Sequence, residues 1–232
     1  CEDPFNVATY KYAGQVWPLP QTGQMWLEHE LLSKPDSKGF FCVSTSYRQE
    51  PNAIPGRHDI IFPMFEFEFP GNIDDLKAME YELVDYLGFE KPTEKTYAEW
   101  QKHYGWGEHS DLTAEDEGKM YDEFTTALIT DFPEFTSPFW NMSRYEDGIT
   151  SKKIDVILGG METIGSAERS TDVEQMRDTF HTITDGQYSQ LLYNLFGKDR
   201  VEAELEEFLK FEFFPRVGGG IGMTRMIAAL EK

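Results

Sequence analysis

The sequence has almost no cysteine. Among its 232 residues only Cys1 and Cys42 carry a thiol, which excludes a disulfide framework. No Cys/His cluster has zinc spacing, so a structural zinc site is excluded too. Cys42 stands in the apolar run Phe40-Phe41-Cys42-Val43 and reads as a small core residue. A reducing, cytoplasmic setting is the default expectation. Basic residues are also scarce: 21 Lys and Arg face 42 Asp and Glu, a net charge of −21. Such a field opposes a long polyanion, so nucleic acid is an unfavoured partner, although locally basic sites survive in acidic proteins. The same charge serves solubility or a salt-rich habitat. No stretch of about eighteen apolar residues occurs, so no helix is expected to span a membrane. No signal-peptide pattern opens the chain, which starts abruptly at Cys1-Glu2-Asp3-Pro4; removal of upstream residues is the expectation. Neither internal repeats nor low-complexity linkers are present, and the length suits one sizeable core, so residues 1–232 are expected to form a single domain.

What the chain does have is aromatic residues, at 15%, and alternating segments of two periods. Phe5 to Trp17 holds strand-like pieces, and GQMWLEHELL reads as a short helix. Phe40 to Tyr47 and Ile60 to Phe69 are β-rich and separated by about twelve residues, a long-looped antiparallel hairpin. Ile73 to Leu87 is expected to be helical, with Asp74 and Asp75 in its first turn. Residues 88–118 are polar and acidic and read as an irregular insertion with short helices. Glu115 to Ile129 reads as helix, TDFPEFTSPFW as strand and loop, and Lys153–Leu158 with Met161–Gly165 as a second hairpin. Helices follow at Asp172–Thr182 and Tyr188–Phe213, and GGGIG opens a last one from Met223. The expectation is one α/β (α+β) domain, an antiparallel sheet flanked by helices.

Three constellations carry chemistry. In IDVILGGMETIGSAER, Gly159-Gly160 is a two-residue hairpin signal. Folding there pairs Leu158 with Met161 and Ile157 with Glu162, so Asp155 and Glu162 become neighbours on one face. Two adjacent carboxylates repel unless a cation lies between them. Mg²⁺ with a nucleotide phosphate suits that need, and a solvated hairpin edge is the plainer alternative. Arg169 follows as a clamp for carboxylate or phosphate, or as a salt-bridge partner. In RVGGGIGMTRMIAAL, three glycines and then Gly222 allow close backbone approach to a ligand or a strand, and Arg225 sits in the next helix's first turn. The spacing fits no standard nucleotide loop, and a tight packing turn explains it equally well. In SYRQEPNAIPGRHDIIFPMFEFEF, Arg48 and Glu50 are i and i+2 on a strand and project from one face. They suit a phosphate and an adenine amino group, or are ordinary surface charges.

Together and in this order, the motifs resemble the catalytic core of class II aminoacyl-tRNA synthetases of the aspartate, asparagine and lysine subgroup. The related ammonia-dependent asparagine synthetases share that core. SYRQE…RHDIIFPMFEFEF is similar to the family's second motif, GGGIGMTR to its third, and DVILGGMETIGSAER to the segment between them. LPQTGQMWLE, ITDFP and SPFWNM also follow the family's order.

The resemblance implies ATP and Mg²⁺ as cofactors and a small amino acid, aspartate or asparagine-like, as substrate. It implies that Arg48 and Arg225 are catalytic, with Arg48 on the α-phosphate and the carboxylate being activated. It places Glu50 on the adenine amino group and the adenine between Phe62 and Arg225, with Gly222 beside the nucleotide. Arg57 and His58 would reach the outer phosphates, and Asp155 and Glu162 would hold the metal. Gln24, Glu66 and Arg169 would bind the amino acid. The implied reaction is attack of the amino acid's carboxylate on the α-phosphate, giving an acyl-adenylate and pyrophosphate.

Several positions depart from the family. Leu27-Glu28 stands where aspartate-specific members carry lysine, bringing GQMWLE nearer the asparaginyl branch. Ile61 replaces a usual glutamate. Arg216-Val217 replaces Pro-His before the glycines. The dimerisation motif has no match, so a homodimer is left open; no anticodon-binding barrel is expected before the core, which with the net charge makes tRNA an unfavoured partner. The expected function is ATP-dependent activation of aspartate or a close analogue, passed to ammonia or another small acceptor. The alternatives are the core of an aspartyl- or asparaginyl-tRNA ligase and a non-catalytic ATP- or amino-acid-binding paralogue.

Overall fold

The computed structural model describes residues 3–50 and 52–232; Cys1, Glu2 and Pro51 lie outside the described residues. A two-stranded antiparallel ribbon comes first, β1 (Thr9–Tyr12) and β2 (Gln15–Pro18), turning through Ala13 and Gly14 at positive φ. Such a pair of left-handed residues matches the twist of a tight hairpin. Helix α1 (Gln24–Ser33) follows, then β3 (Phe40–Tyr47) and β4 (Ile61–Pro70), antiparallel with Tyr47 opposite Ile61 and Phe40 opposite Glu68. Helix α2 (Ile73–Tyr86) starts on a capping box in which Asn72 and Asp75 satisfy each other's backbone N–H groups.

Residues 88–118, expected to be irregular, contain a four-residue strand, β5 (Thr93–Thr96), and helix α3 (Tyr97–Tyr104). They also contribute core: Tyr97 and Trp100 are buried. The strand is short and polar, so it leaves no alternating apolar signal. Helix α4 (Ala114–Phe124) ends earlier than the expected Ile129, because Thr125 takes φ 62°, ψ −50° and the chain enters β6 (Thr126–Pro133). Thr126 to Thr130 are all buried. A strand covered on both faces loses its two-residue period and mimics a helix end.

The second hairpin, β7 (Thr150–Leu158) and β8 (Met161–Glu168), pairs Leu158 with Met161 and Ile157 with Glu162 as read from the sequence. Helices α5 (Val173–Thr182), α6 (Gln187–Phe196) and α7 (Lys198–Phe208) come next. The expected helix Tyr188–Phe213 is therefore two, broken at Gly197 with φ 89°. The glycine run does not open a helix but forms β9 (Arg216–Gly222), and α8 (Met223–Leu230) follows it.

Among the described residues seven strands form one sheet in the order β3-β4-β9-β8-β7-β6-β5, antiparallel except for β5 with β6. One face packs on α2 and α8 through Leu76, Val84, Val156, Ile164 and Met226. On the other face α3 and α4 cover β6 and β7 through Trp100, Met120, Ile129 and Ile157. A third cluster joins α5, α6 and α7 around Trp140. Among the described residues no helix is long and apolar enough to cross a membrane.

Candidate active site

The middle strands β4, β9 and β8 carry the cavity on one face, between α1 at one side and the β7–β8 end at the other. Met64, Gly220, Gly165 and Glu162 line its floor, Gln24 reaches in from α1, and Thr224 and Arg225 come from the first turn of α8. The free space, counting the open mouth, is about 830 Å³. Glycine is needed for this floor. A Cβ on Gly220 would stand 2.6 Å from Met64 and 3.3 Å from the Gln24 amide nitrogen. A Cβ on Gly218 would fall 1.6 Å from Glu68 Oε2, close to a covalent bond length and far inside van der Waals contact. The glycine run is thus a strand whose bare backbone lets acidic and amide side chains lie flat across it.

Gln24, Arg48, Glu50, Arg57, His58, Phe62, Glu162, Gly222 and Arg225 all line this cavity. Arg48 and Glu50 reach it differently from the expected strand geometry: β3 ends at Tyr47, and both residues lie in the following segment. Arg48 is held there by its own N–H to Ile60 O at 2.9 Å, and its guanidinium lies over the Phe62 ring at 5.6 Å. Arg225 donates from Nη1 to the Glu162 carbonyl at 2.7 Å. Arg57 donates from Nη2 to Glu117 on α4 at 2.7 Å. In a chain of net charge −21, three guanidinium groups meet in one concavity.

Asp155 and Glu162 share the cavity face. A Cβ on Gly165 would meet Glu162 Oε1 at 2.9 Å and Asp155 Oδ1 at 3.5 Å, so both oxygens converge on the space that this glycine leaves free. A bulge between Val156 and Ile157 sets Asp155 opposite Gly165. Asp155 lies beneath the floor, nearly fully buried. Its Oδ2 accepts from Lys153 at 2.6 Å, and its Oδ1 has no hydrogen-bond partner among the described residues. Burial raises the Asp155 carboxyl above its ordinary range, and the Glu162 and Glu117 charges add to that while Lys153 opposes it. An orphaned buried oxygen beside a second carboxylate fits a hard cation. Among the described residues no three His, Cys, Asp or Glu side chains converge as a complete metal cage. The carboxylate pair itself suits Mg²⁺, which takes one or two carboxylates and completes its shell with phosphate oxygens and water.

On the amino-acid side Glu66 and Arg169 do not line the cavity. Glu66 is fully buried, and its carboxylate accepts from Thr22 Oγ1, from the Gly23 N–H at 2.8 Å and from Ser44 Oγ at 2.5 Å. Those donors saturate it and leave it a support for the loop before α1. Arg169 is tied to Glu68 through Nε (3.0 Å) and Nη2 (3.2 Å), and the same Nη2 donates to Gln24 Oε1 at 2.8 Å. It therefore reaches the cavity through Gln24.

Behind it Glu28 lies 3.7 Å from Arg169 Nε and pairs with Arg216 at 2.7 Å, all of them buried. Glu28 and the arginine that stands in place of Pro-His thus neutralise each other. Burial raises the Glu68 carboxyl, with Arg169 opposing and Glu28 adding to the rise. Sequence reasoning assigned Glu66 and passed over Glu68, although alternation puts both on one face. Glu28, Arg216 and Glu117 were missed as a group. Their partners lie 188 residues away for Glu28 and 60 for Glu117, and a charge run gives no sign of which members turn inward.

A mostly antiparallel sheet in this strand order, with its cavity on the middle strands, matches the class II synthetase core. The chain belongs to the tRNA synthetases class II (D, K and N), whose family profile matches residues 2–232. Its fold is similar to asparaginyl-tRNA synthetase from Pyrococcus horikoshii complexed with asparaginyl-adenylate: TM-score 0.81 at 19% identity, over 99% of this chain and 57% of that one. Asparaginyl-tRNA synthetase from Entamoeba histolytica in complex with asparaginyl-adenylate gives 0.78 at 19%, over 98% and 56%. Aspartyl tRNA synthetase from the same organism gives 0.72 at 20%, over 92% and 49%. At such identities the likeness is one of fold. The chain spans about half the length of these structures. No curated protein matches it in sequence.

Proposed function

We propose that this chain activates aspartate or asparagine with ATP, forming an acyl-adenylate. The observation that carries the reading is the meeting of Arg48, Arg57 and Arg225 with the carboxylates of Asp155 and Glu162 on one sheet face. A cavity that gathers cations in a strongly acidic protein is built for a compact polyanion, and the carboxylate pair supplies the metal that such a polyanion brings. Arg48 and Arg225 flank the α-phosphate and offset the charge that spreads over phosphorus. A carboxylate oxygen of the amino acid attacks that phosphorus, the bond to the bridging oxygen breaks, and pyrophosphate leaves. Mg²⁺ on Asp155 and Glu162 would neutralise part of the triphosphate charge. Glu50 accepts from the adenine amino group, and the Phe62 ring offers the base a stacking surface. Gln24 and, through it, Arg169 and Glu68 set the polar end of the amino-acid pocket. Leu27, where the aspartate-specific pattern has lysine, and Arg169, already paired with Glu68, together favour a neutral carboxamide there.

Two acceptors follow. Transfer to ammonia or another small amine rests on the net charge of −21. Transfer to tRNA is supported by the names of the structural neighbours and by the share of their length that the chain spans. The charge argument also loses part of its force, since Asp116 and Glu117 in the acidic stretch face inward.

The test is ATP–pyrophosphate exchange across the amino acids, followed by product analysis with ammonia and with total tRNA. Exchange supported by aspartate or asparagine alone is expected. Absence of exchange with every amino acid would leave a binding paralogue as the remaining reading.

A further inference from the structure

Glu117 is a buried carboxylate that the proposed chemistry does not use. It sits on α4 with its side chain 6% exposed, and it binds two parts of the cavity at once. Its Oε2 accepts from Arg57 Nη2 at 2.7 Å and from the backbone N–H of Glu162 at 3.1 Å. Arg57 belongs to the loop between β3 and β4, whose tip closes on itself through the Arg57 and His58 N–H groups to Ile54 O. Glu162 is the second residue of β8 and carries the outer carboxylate of the proposed metal pair. One oxygen therefore ties the loop's arginine to the metal strand across the cavity. Nε and Nη1 of Arg57 have no hydrogen-bond partner among the described residues, so most of the guanidinium fork stays available to a ligand.

A long arginine on a loop loses much rotamer freedom when it binds, and a buried carboxylate that has already fixed it lowers that cost. We infer that Glu117 is a positioning residue for the outer phosphates of the bound nucleotide, holding Arg57 at a set place relative to Glu162. The inference rests on the ATP-binding reading of the cavity. The direction is not trivial. If Glu117 merely neutralised Arg57, its removal would strengthen polyphosphate binding.

Calorimetric titration with ATP plus Mg²⁺ and, separately, with AMP tests this on the wild-type chain and on Glu117→Gln. The glutamine keeps an acceptor for the Glu162 N–H and removes the negative charge that faces Arg57. ATP affinity should fall about tenfold, the equivalent of one charge-assisted hydrogen bond, while AMP, which lacks the outer phosphates, should change less than about twofold. Arg57→Ala, on the loop and away from the helix, should give the same split. The double variant Arg57→Ala/Glu117→Gln should be no weaker for ATP than Arg57→Ala alone. Equal losses for both nucleotides, unchanged or tighter ATP binding in Glu117→Gln, or additive losses in the double variant would overturn the inference while leaving the site reading intact. Failure of the wild-type chain to bind either nucleotide would overturn both.

Discussion

Single side chains decide how the pocket behind Gln24 is held. Glu28 and Arg216 form a fully buried ion pair, and each also satisfies neighbours, Glu28 the Asn141 amide at 2.6 Å and Arg216 the Ser170 carbonyl at 3.1 Å. Removing one partner strands the other charge in a dry site, whereas replacing both with apolar groups of similar volume removes the desolvation burden as well. Glu28→Met alone is expected to cost about 3 kcal/mol or more, and Glu28→Met/Arg216→Met to recover at least half of that loss in urea unfolding. Equal destabilisation by the single and double variants would contradict the pairing.

Glu80 gives a second test at this level. It is fully buried on α2 and accepts from Ser166 Oγ at 2.6 Å, and its other oxygen has no partner among the described residues. Burial pushes its carboxyl up to about 8 from an ordinary 4.5, against the Ser166 hydrogen bond, which pulls it down. The folded state thus holds the proton more tightly than the unfolded chain. That stabilisation is complete below about pH 4.5 and is lost as pH rises through about 8. Relative to wild type, Glu80→Gln should gain about 2 kcal/mol of stability between pH 6 and pH 8. Parallel stability curves for the two proteins over that range would contradict the assignment.

Among the elements, β9 is the one whose sequence admits least change. Gly218→Ala would push a methyl group into Glu68 and to 2.6 Å from the Phe67 carbonyl, in the centre of the sheet. Gly118 in α4 has no atom within 4 Å of an added Cβ and no left-handed backbone. Gly118→Ala should raise stability by about 0.5–1 kcal/mol, and Gly218→Ala should lower it by about 3 kcal/mol or more. Thermal melts of the two variants moving in the same direction would show that the strand's packing is wrongly described.

The same elements explain what could be read ahead of the structure. Hairpins with an alternating face or a Gly-Gly turn, such as β3–β4 and β7–β8, were legible down to the pairing of Ile157 with Glu162. Segments buried on both faces were not: the first half of β6, Thr126 to Ile129, read as the end of a helix because its apolar run has no period. Motif residues at the cavity were found because their order along the chain resembles a family. The supports behind them, Glu28, Glu68, Arg216 and Glu117, depend on contacts between distant segments, and no local pattern encodes those.

For the molecule as a whole, the charge is the dominant physical fact. A net −21 on 232 residues repels itself, and that repulsion is screened within about 10 Å at 0.1 M salt. The melting temperature should therefore rise as monovalent salt goes from low concentration to about 1 M, and a fall or a flat profile would show that self-repulsion does not limit stability. Against this background the cavity is a local inversion, three arginines held by Phe62, Glu117 and the Glu162 carbonyl within an acidic shell. The use of that inversion is open to direct measurement. A single-turnover reaction, with enzyme in excess over α-phosphate-labelled ATP and with Mg²⁺ and aspartate or asparagine present, reads it directly. The wild-type chain is predicted to convert the label to an acyl-adenylate with no acceptor added, and Glu162→Gln, which keeps shape but loses a metal-binding charge, to lose that conversion by at least about a hundredfold. Label that stays in ATP with both amino acids, or a Glu162→Gln variant as fast as wild type, would contradict it.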